Sequence, residues 1–286
     1  MKKRPVDIVV LSDLHLGTYG CHAKELLNYL KSIKPNLVVL NGDVIDVWQF
    51  KKHYWPKSHM KVVKLIMEWT TKGIPVHYIT GNHDEMLRKF VDFKLGSFSI
   101  TNKLILNLNG KKAWIFHGDV FDVSMQHARW IAKLGAVGYD FLILLNRAIN
   151  FTYMKLGKAP VSMSKKIKNG VKSAIKFINN FEKVAAEIAI DNNFDYVICG
   201  HIHHPEIKEI ATEKGKVLYL NSGDWIENLT ALEYHKDKWK LYRYEDDLVT
   251  KINDIEVNDA VEVLEKNELF LSLIQEFNNM AVSKKI

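Results

Sequence analysis

Five short polar motifs in this 286-residue chain carry side chains that could do chemistry. In chain order they read SDLHLG, NGDVID, GNHDE, HGD and GHIHHP, and each sets glycine close to Asp, Asn or His. Within two of them, candidate ligands are spaced two residues apart, so both members of a pair can point the same way from extended chain. Glycine beside them lets the backbone approach a ligand closely. The candidate ligands are Asp13, His15, Asp43, Asn82, His83, His117, His201 and His203.

This combination of residue types favours a metal site. Imidazoles mixed with carboxylates suit zinc, iron, manganese or cobalt, and do not suit calcium. Because one ion takes about three or four protein ligands, and the chain offers seven or eight, the set predicts two ions. Two-metal sites hold their ions about 3.5–4 Å apart and share a bridging carboxylate. We assign the bridge to Asp43, because its carboxylate has two oxygens and it lies in the middle of the ligand order.

Each motif follows a short apolar run that is typical of a buried β-strand. Ligands of α/β sheets bind beyond the carboxyl ends of strands, so residues far apart in sequence can meet there. We therefore expect the five motifs to form a single site. The predicted strands are Val6–Leu11, Leu37–Leu40, Val76–Thr80, Ala113–Phe116 and Tyr196–Cys199.

Helical patterns separate the first three strands. Apolar residues recur at helical spacing in Ala23–Ile33 and again in Met60–Lys72. Alternation of strand and helix predicts a layered α/β fold. Three later strands are predicted to pair antiparallel, with a turn at Lys236 and Asp237; they are Val217–Leu220, Thr230–Tyr234 and Lys238–Tyr242.

The segment 122–180 is predicted to be a helical insertion that acts as a lid. Between 123 and 183 there are eleven Lys or Arg and two acidic residues, although the net charge of the whole chain is only +7. Positive charge confined to one segment indicates an anionic partner for that segment. We expect 1–254 to form one domain that contains this insertion, and 255–286 to form an amphipathic helical tail packed on it.

Composition points to a reducing compartment. Cys21 and Cys199 are too few for a disulfide framework, no apolar run approaches the roughly 20 residues that span a bilayer, and the N-terminus has no export-signal pattern. We expect a cytoplasmic protein. A basic insertion with bulky apolar residues also suits peripheral contact with the inner membrane.

The order D-x-H, GD, GNHD, H and GHxH resembles the calcineurin-like metallophosphoesterase superfamily over residues 6–225. The resemblance implies a β-sandwich flanked by helices and a two-metal centre, with manganese as the expected metal and zinc or iron as alternatives. His83 would bind no metal and would act in catalysis beside Asn82. One ion would take Asp13, His15, Asp43 and His203, and the other Asp43, Asn82, His117 and His201.

Four features give a finer likeness within that superfamily: SDLHLG, HGD followed by Asp122, the basic helical insertion, and NSGDWIE at 221–227. In these features the chain is most similar to UDP-2,3-diacylglucosamine pyrophosphohydrolase and its relatives, which release UMP and a lipid phosphate in lipid A synthesis. That family commonly has Arg in place of His83. The likeness implies a phosphorylated lipid or small-molecule substrate. Its predicted contacts are Asp122, Ser164, Lys165, Lys168 and Trp225, the last with plain core packing as an equal alternative.

Two other functions fit the same residues less well. A nuclease or cyclic-nucleotide phosphodiesterase could use the same metal ligands, but the positive charge is confined to an aliphatic-rich insertion and no nucleic-acid motif accompanies it. A scaffold without metal would require eroded ligands, and none is missing. The sequence does not indicate an oligomeric state.

Overall fold

Two β-sheets and three α-helices make up residues 3–47, 54–121 and 166–247, which the computed structural model describes. One sheet has seven strands in the order β12 (Lys238–Arg243), β11 (Thr230–His235), β1 (Arg4–Leu11), β2 (Ile33–Asn41), β3 (Val76–Ile79), β5 (Phe98–Thr101) and β4 (Lys94–Leu95). The other has the order β6 (Lys103–Leu108), β7 (Lys111–Phe116), β8 (Tyr196–Cys199), β10 (Gly215–Asn221) and β9 (Glu206–Thr212). The helices are α1 (Ala23–Ser32), α2 (Lys57–Thr71) and, from the third described range, α3 (Lys166–Asp191).

The two sheets pack face to face because their strands are apolar on both sides. In β1, Ile8 and Val10 face the second sheet, while Val9 and Leu11 pack under the helices. Side chains alternate between faces along a strand, so a continuous apolar run such as Ile8–Leu11 can fill two layers at once. We call the layer between the sheets the sandwich core. Its buried members are Ile8, Val10, Val39, Ile79, Ala113, Ile115, Tyr196, Ile198, Leu220, Leu232 and Tyr234.

Helices cover both outer faces. Leu26 and Leu30 of α1 and Val62 and Ile66 of α2 share one buried cluster with the outer side of the first sheet. On the opposite side, Phe181 of α3 belongs to a cluster with β7, β8 and β10. The four layers confirm the predicted β-sandwich flanked by helices.

Parallel pairing brings the carboxyl ends of the motif-bearing strands to one side. β2 pairs parallel with β1 and β3 in the first sheet, and β8 pairs parallel with β7 and β10 in the second. Asn41, at the end of β2, donates through Nδ2 to the carbonyl of Phe116, at the end of β7 (3.1 Å). The ends of the two sheets therefore meet across the sandwich.

Most of the predicted lid and all of the predicted tail lie outside the described residues. Of the insertion 122–180, only the part in α3 belongs to the described residues, and the tail 255–286 lies outside them. The chain separates into two compact units after Tyr244. Among the described helices, none combines the length and apolarity needed to cross a bilayer.

Candidate metal centre

All seven predicted metal ligands lie in loops at this end of the sandwich. We call these loops, together with the strand-end residues Ser12, Asn41, Thr80 and Asn221, the loop layer. It comprises residues 12–17, 41–47, 80–84, 117–119, 200–205 and 221–228.

The first group of ligands joins the loop after β1 to the loop after β8. Ligand atoms of Asp13, His15 and His203 lie within 4.8 Å of one another. Nε2 of His203 is 3.1 Å from Oδ1 of Asp13, and the rings of His15 and His203 are 5.5 Å apart. The other oxygen of Asp13 accepts a hydrogen bond from the backbone N–H of His201 (3.0 Å). Asp13 is thus fixed at one oxygen and offers the second to this group.

The second group joins the loops after β2, β7 and β8. Ligand atoms of Asp43, His117 and His201 lie within 4.8 Å of one another, and Nε2 of His117 is 3.2 Å from Oδ2 of Asp43. Nδ1 of His117 donates to the backbone carbonyl of Asn41 (2.8 Å), which directs Nε2 toward Asp43. Such a hydrogen bond fixes the tautomer and orientation of a metal-binding imidazole.

The GNHDE loop closes over both groups. The backbone N–H of His83 donates to Oδ1 of Asp43 (2.8 Å), which ties the loop that carries Asn82 to this carboxylate. The His83 ring lies 4.6 Å from the ring of His15. Asp46 connects the two imidazoles, because its Oδ2 is 3.0 Å from Nδ1 of His15 and 2.8 Å from Nδ1 of His83.

The backbone of the loop layer is strained. Five of the predicted ligands have positive φ, a conformation that is uncommon outside glycine and costs about 1 kcal/mol or more per residue. Such outliers persist where the surrounding structure fixes them, and they cluster at functional sites. The five residues are Asp13, His15, Asp43, His201 and His203, with φ between 48° and 66°.

Two glycines allow the loops to pack this closely. A Cβ added to Gly42, whose φ is +80°, would lie 2.3 Å from the ring of His117. A Cβ added to Gly81 would lie 2.2 Å from Oδ1 of Asp43. The glycines of NGD and GNHD are therefore required by the approach of one ligand loop to the next.

Orphaned polar atoms test whether these residues fit metal ions. Buried polar atoms are nearly always hydrogen-bonded. In the described part of the chain, four buried ligand atoms make no hydrogen bond of ordinary geometry: Asp13 Oδ1, His15 Nε2, Asn82 Oδ1 and His117 Nε2. The nearest polar atoms to Asp13 Oδ1 and His117 Nε2 are those of the other ligands, His203 Nε2 at 3.1 Å and Asp43 Oδ2 at 3.2 Å. All four belong to the predicted ligand set, and all can bind a divalent cation. The arrangement fits the metal ions expected from the sequence.

The buried carboxylates and imidazoles of the candidate metal centre shift each other's pKa. Burial raises the pKa of Asp13, but the charges of His203 and His117 outweigh it and lower that pKa to about 2. Burial lowers the pKa of His203, but Asp13 outweighs it and raises that pKa to about 9. The same opposition takes the pKa of Asp43 well below its usual range, and the pKa of His117 well above. A bound cation requires neutral imidazoles, so metal binding here would release protons.

Of the predicted substrate contacts, only Trp225 has its side chain among the described residues. The indole of Trp225 is fully buried and stacks with Tyr29 at 5.5 Å between ring centroids. This position favours core packing over a substrate wall, and the backbone N–H of Trp225 supports the site by donating to the carbonyl of Asp13 (3.1 Å). Asp122, Ser164 and Lys165 lie outside the described residues, as does the side chain of Lys168.

Sequence reasoning missed two carboxylates that organise the site. Besides Asp46, the buried Asp84 accepts hydrogen bonds from the backbone of Gly81 (2.6 Å), the backbone of Val44 (3.0 Å) and the hydroxyl of Tyr78 (2.6 Å). Asp84 thereby joins the GNHDE loop to the NGDVID loop. Both residues lie inside recognised motifs, Asp46 in NGDVID and Asp84 in GNHDE. Their closeness in sequence to the predicted ligands is the signal that could have identified them.

Comparisons with known proteins bear on the family to which the chain belongs. The sequence model of the calcineurin-like phosphoesterases matches residues 6–205. A UDP-2,3-diacylglucosamine hydrolase of Blochmanniella pennsylvanica is 26% identical over 75% of this chain and 86% of its own length. The enzyme of that name from Vibrio cholerae is 24% identical over 79% of this chain and 93% of its own. An archaeal phosphodiesterase structure is similar over 82% of this chain and 98% of its own, with 13% identity and a TM-score of 0.40. With the family match extending through the loops that carry all seven predicted ligands, the chain belongs to the calcineurin-like phosphoesterase family.

Proposed function

We propose that the chain hydrolyses a phosphoric ester or anhydride with two divalent metal ions held in the loop layer. The observation that carries the proposal is the pair of three-residue groups, each with its ligand atoms within 4.8 Å, together with buried ligand atoms that make no hydrogen bond. Asp13, His15, Asp43 and His203 would hold one ion, and Asp43, Asn82, His117 and His201 would hold the other, so that Asp43 would be shared between them.

Two such cations supply positive charge that neutralises phosphoryl oxygens and lowers the pKa of an attacking water. Side chains of the protein position the proton donor, His83. Asp46 holds the His83 ring through Nδ1, which leaves Nε2 to face the reacting phosphate. Burial lowers the pKa of His83, but the hydrogen bond with Asp46 and the charge of Asp43 outweigh it, so that pKa is raised. His83 therefore keeps a proton at Nε2 that it can donate to a phosphoryl or leaving oxygen.

The substrate we propose is a UDP-2,3-diacylglucosamine-like nucleotide-sugar lipid. Water attacks one phosphorus of the pyrophosphate, the bond to the bridging oxygen breaks, and the products are UMP and an acylated sugar phosphate. Support comes from relatives named for this activity that align with three quarters or more of the chain. The candidate contacts Asp122, Ser164, Lys165 and Lys168 remain part of this proposal.

Product analysis tests the substrate. The purified chain is supplied with manganese, and in parallel with zinc or iron, and is offered a UDP-diacylglucosamine, a cyclic nucleotide and single-stranded DNA. We expect UMP release from the first substrate only, and no release by Asp43→Ala. Faster cleavage of DNA or of the cyclic nucleotide would assign the site to the alternative function. Two bound ions without hydrolysis of any phosphoester would overturn the proposal.

An acylated substrate lies in a membrane, so the proposal includes peripheral contact with the inner membrane through the basic segment 123–183. Flotation with anionic vesicles tests this contact. The triple variant Lys165→Glu, Lys166→Glu, Lys168→Glu is expected to float less than wild type. Equal flotation of the two proteins would remove membrane contact from the proposal and leave the hydrolytic site intact.

A further inference from the structure

A second cluster of possible metal ligands contains one residue of the loop layer, His204, and shares no residue with the candidate metal centre. Glu182 comes from α3, His204 from the loop after β8, and Glu206 from the first position of β9. Their ligand atoms lie within 4.8 Å of one another. Three separate elements of the fold therefore converge on one point.

The carboxylate of Glu182 is buried, and only one of its two oxygens has a hydrogen-bond partner among the described residues. Its side chain is 3% exposed, and its Oε2 accepts a hydrogen bond from Nζ of Lys208. Its Oε1 is buried and, within the described part of the chain, accepts no hydrogen bond. Leaving a charged oxygen buried without a partner costs more than leaving a neutral one. This oxygen points to a missing positive partner.

Lys208 offsets only part of the negative charge. Its Nζ also lies 3.0 Å from Oε2 of Glu206, so one ammonium serves two carboxylates. The cluster of Glu182, Glu206 and Lys208 keeps a net charge of −1 when His204 is neutral. Two like charges this close favour a further cation between them.

The spacing of the atoms matches metal coordination. Nδ1 of His204 is 3.6 Å from Oε1 of Glu182 and 3.7 Å from Oε2 of Glu206. With bonds of about 2.0–2.2 Å, neighbouring ligands of a tetrahedral zinc ion lie about 3.4 Å apart. Shifts of a few tenths of an ångström would bring these two separations to that value, and His204 and Glu206 can make them because both are partly exposed.

We propose that Glu182, His204 and Glu206 form an additional divalent cation site, with zinc as the best match to one imidazole and two carboxylates. The ion would join α3 to the loop that carries His201 and His203, since His204 directly follows His203. The site is structural: it fastens the helix at the end of the insertion to the ligand loop. It supplies no group to the reaction.

Metal stoichiometry tests the site without using activity. Wild type, His204→Ala and Glu206→Gln are dialysed against zinc buffered at one free concentration, and bound zinc per chain is measured by mass spectrometry. We expect each variant to bind one ion fewer than wild type. Glu182 is left unchanged because its burial would make a substitution disrupt folding, whereas the two substituted side chains are 46% and 32% exposed.

Two further variants separate this site from other binding. His235→Ala is the matched control, because His235 is also a partly exposed histidine 3.0 Å from a carboxylate, that of Asp7; it is expected to bind as much zinc as wild type. Asp43→Ala, which removes the bridging ligand of the candidate metal centre, is expected to keep the additional ion. Equal zinc content in wild type, His204→Ala and Glu206→Gln would show an ion-pair cluster only and would overturn the proposal.

Discussion

The sandwich core and the loop layer are adjacent, but they hold opposite kinds of side chain. Between the sheets, residues such as Val10 and Ile198 are apolar, fully buried and in ordinary strand conformation. At the strand ends, residues such as Asp13, Asp43 and His117 are equally buried but ionisable, and two of these three have positive φ. Burial of the first kind stabilises the fold, whereas burial of the second kind costs stability. The sandwich core holds in place a loop layer that would not be stable alone.

Substitution of the bridging carboxylate should have the largest effect on function. We expect Asp43→Ala to lose the two ions of the candidate metal centre and to lower kcat by about 10⁴-fold or more, because it removes charge that both of these ions require. Asp92→Ala is the control: Asp92 is also an aspartate with positive φ, 71°, and it is exposed on the surface. If metal content and activity survived in Asp43→Ala, the assignment of the bridge would be wrong.

His83 should separate catalysis from metal binding. We expect His83→Ala to lower kcat by about 10²–10⁴-fold, the range for a lost general acid, and to keep both ions. His77→Ala, at a half-buried histidine that bonds Ser99 within the sheet, is expected to keep activity. Loss of metal by His83→Ala would place His83 among the ligands, which metal analysis of the purified variant would reveal.

The sandwich core should respond in the opposite way. Leu232 pairs with Val10 across β11 and β1 and is fully buried. We expect Leu232→Ala to lower the free energy of unfolding by about 3 kcal/mol, as large-to-small core substitutions do, and to leave kcat of the folded enzyme unchanged. Ile105→Ala, at a side chain that is 52% exposed, should change stability by less than about 0.5 kcal/mol. Urea denaturation of wild type, Leu232→Ala and Ile105→Ala measures these differences. Equal stability of all three would show that burial in the sandwich core does not stabilise the fold.

Asp46 lies between these extremes, because it contacts two functional imidazoles without belonging to the predicted ligand set. We expect Asp46→Asn to lower activity and metal affinity by about 10–100-fold, the usual effect of losing the partner of a metal-binding histidine. Asp7→Asn removes a similar carboxylate–histidine pair, with His235, and neither of these residues belongs to a ligand motif. Activity titrated against metal concentration should be altered by Asp46→Asn only; an identical response of the two variants would remove Asp46 from the site.

The layout of the loop layer could be predicted because chemistry and strand position coincide in the sequence. Asp13, Asp43 and His117 each follow a short apolar run, and parallel strands bring such positions together without further information. The roles of Asp46 and Asp84 could not be predicted in this way. Each depends on which neighbouring loop its carboxylate reaches, and that is fixed only once the loops have packed.

Two strands that carry no motif, β6 and β9, could not be predicted from the sequence. β6 alternates exposed and half-buried residues at a sheet edge, and β9 contains Lys208 and two glutamates, so neither shows an apolar run. From the sequence alone, His59 is expected to be exposed to solvent, and this expectation is wrong, because the residue is 2% exposed. α2 begins at Lys57, three residues before the predicted start at Met60, and this places His59 in the first turn of the helix, against the loop after β1.

The smallest predicted effect concerns this histidine. Nδ1 of His59 accepts a hydrogen bond from the backbone of Gly17 (2.9 Å), and burial lowers its pKa from 6.5 to about 4. The unfolded chain therefore binds this proton more tightly than the folded chain does. The stability that neutral His59 contributes is complete above pH 6.5 and is lost as the pH falls toward 4. Linkage gives a loss of about 2 kcal/mol between pH 7 and pH 5.

Replacing His59 by Asn should isolate that contribution. Asn can place an acceptor oxygen where Nδ1 lies, so the hydrogen bond from Gly17 is kept while the titrating group is removed. Stability of His59→Asn, measured by urea denaturation at pH 7 and at pH 5, should fall by about 2 kcal/mol less than wild type over the same interval. Equal losses in the two proteins would show that His59 is protonated in the folded state at pH 5. In that case the loop after β1 would depend on pH through other groups, and the support that α2 gives to the loop layer would not rest on a neutral imidazole.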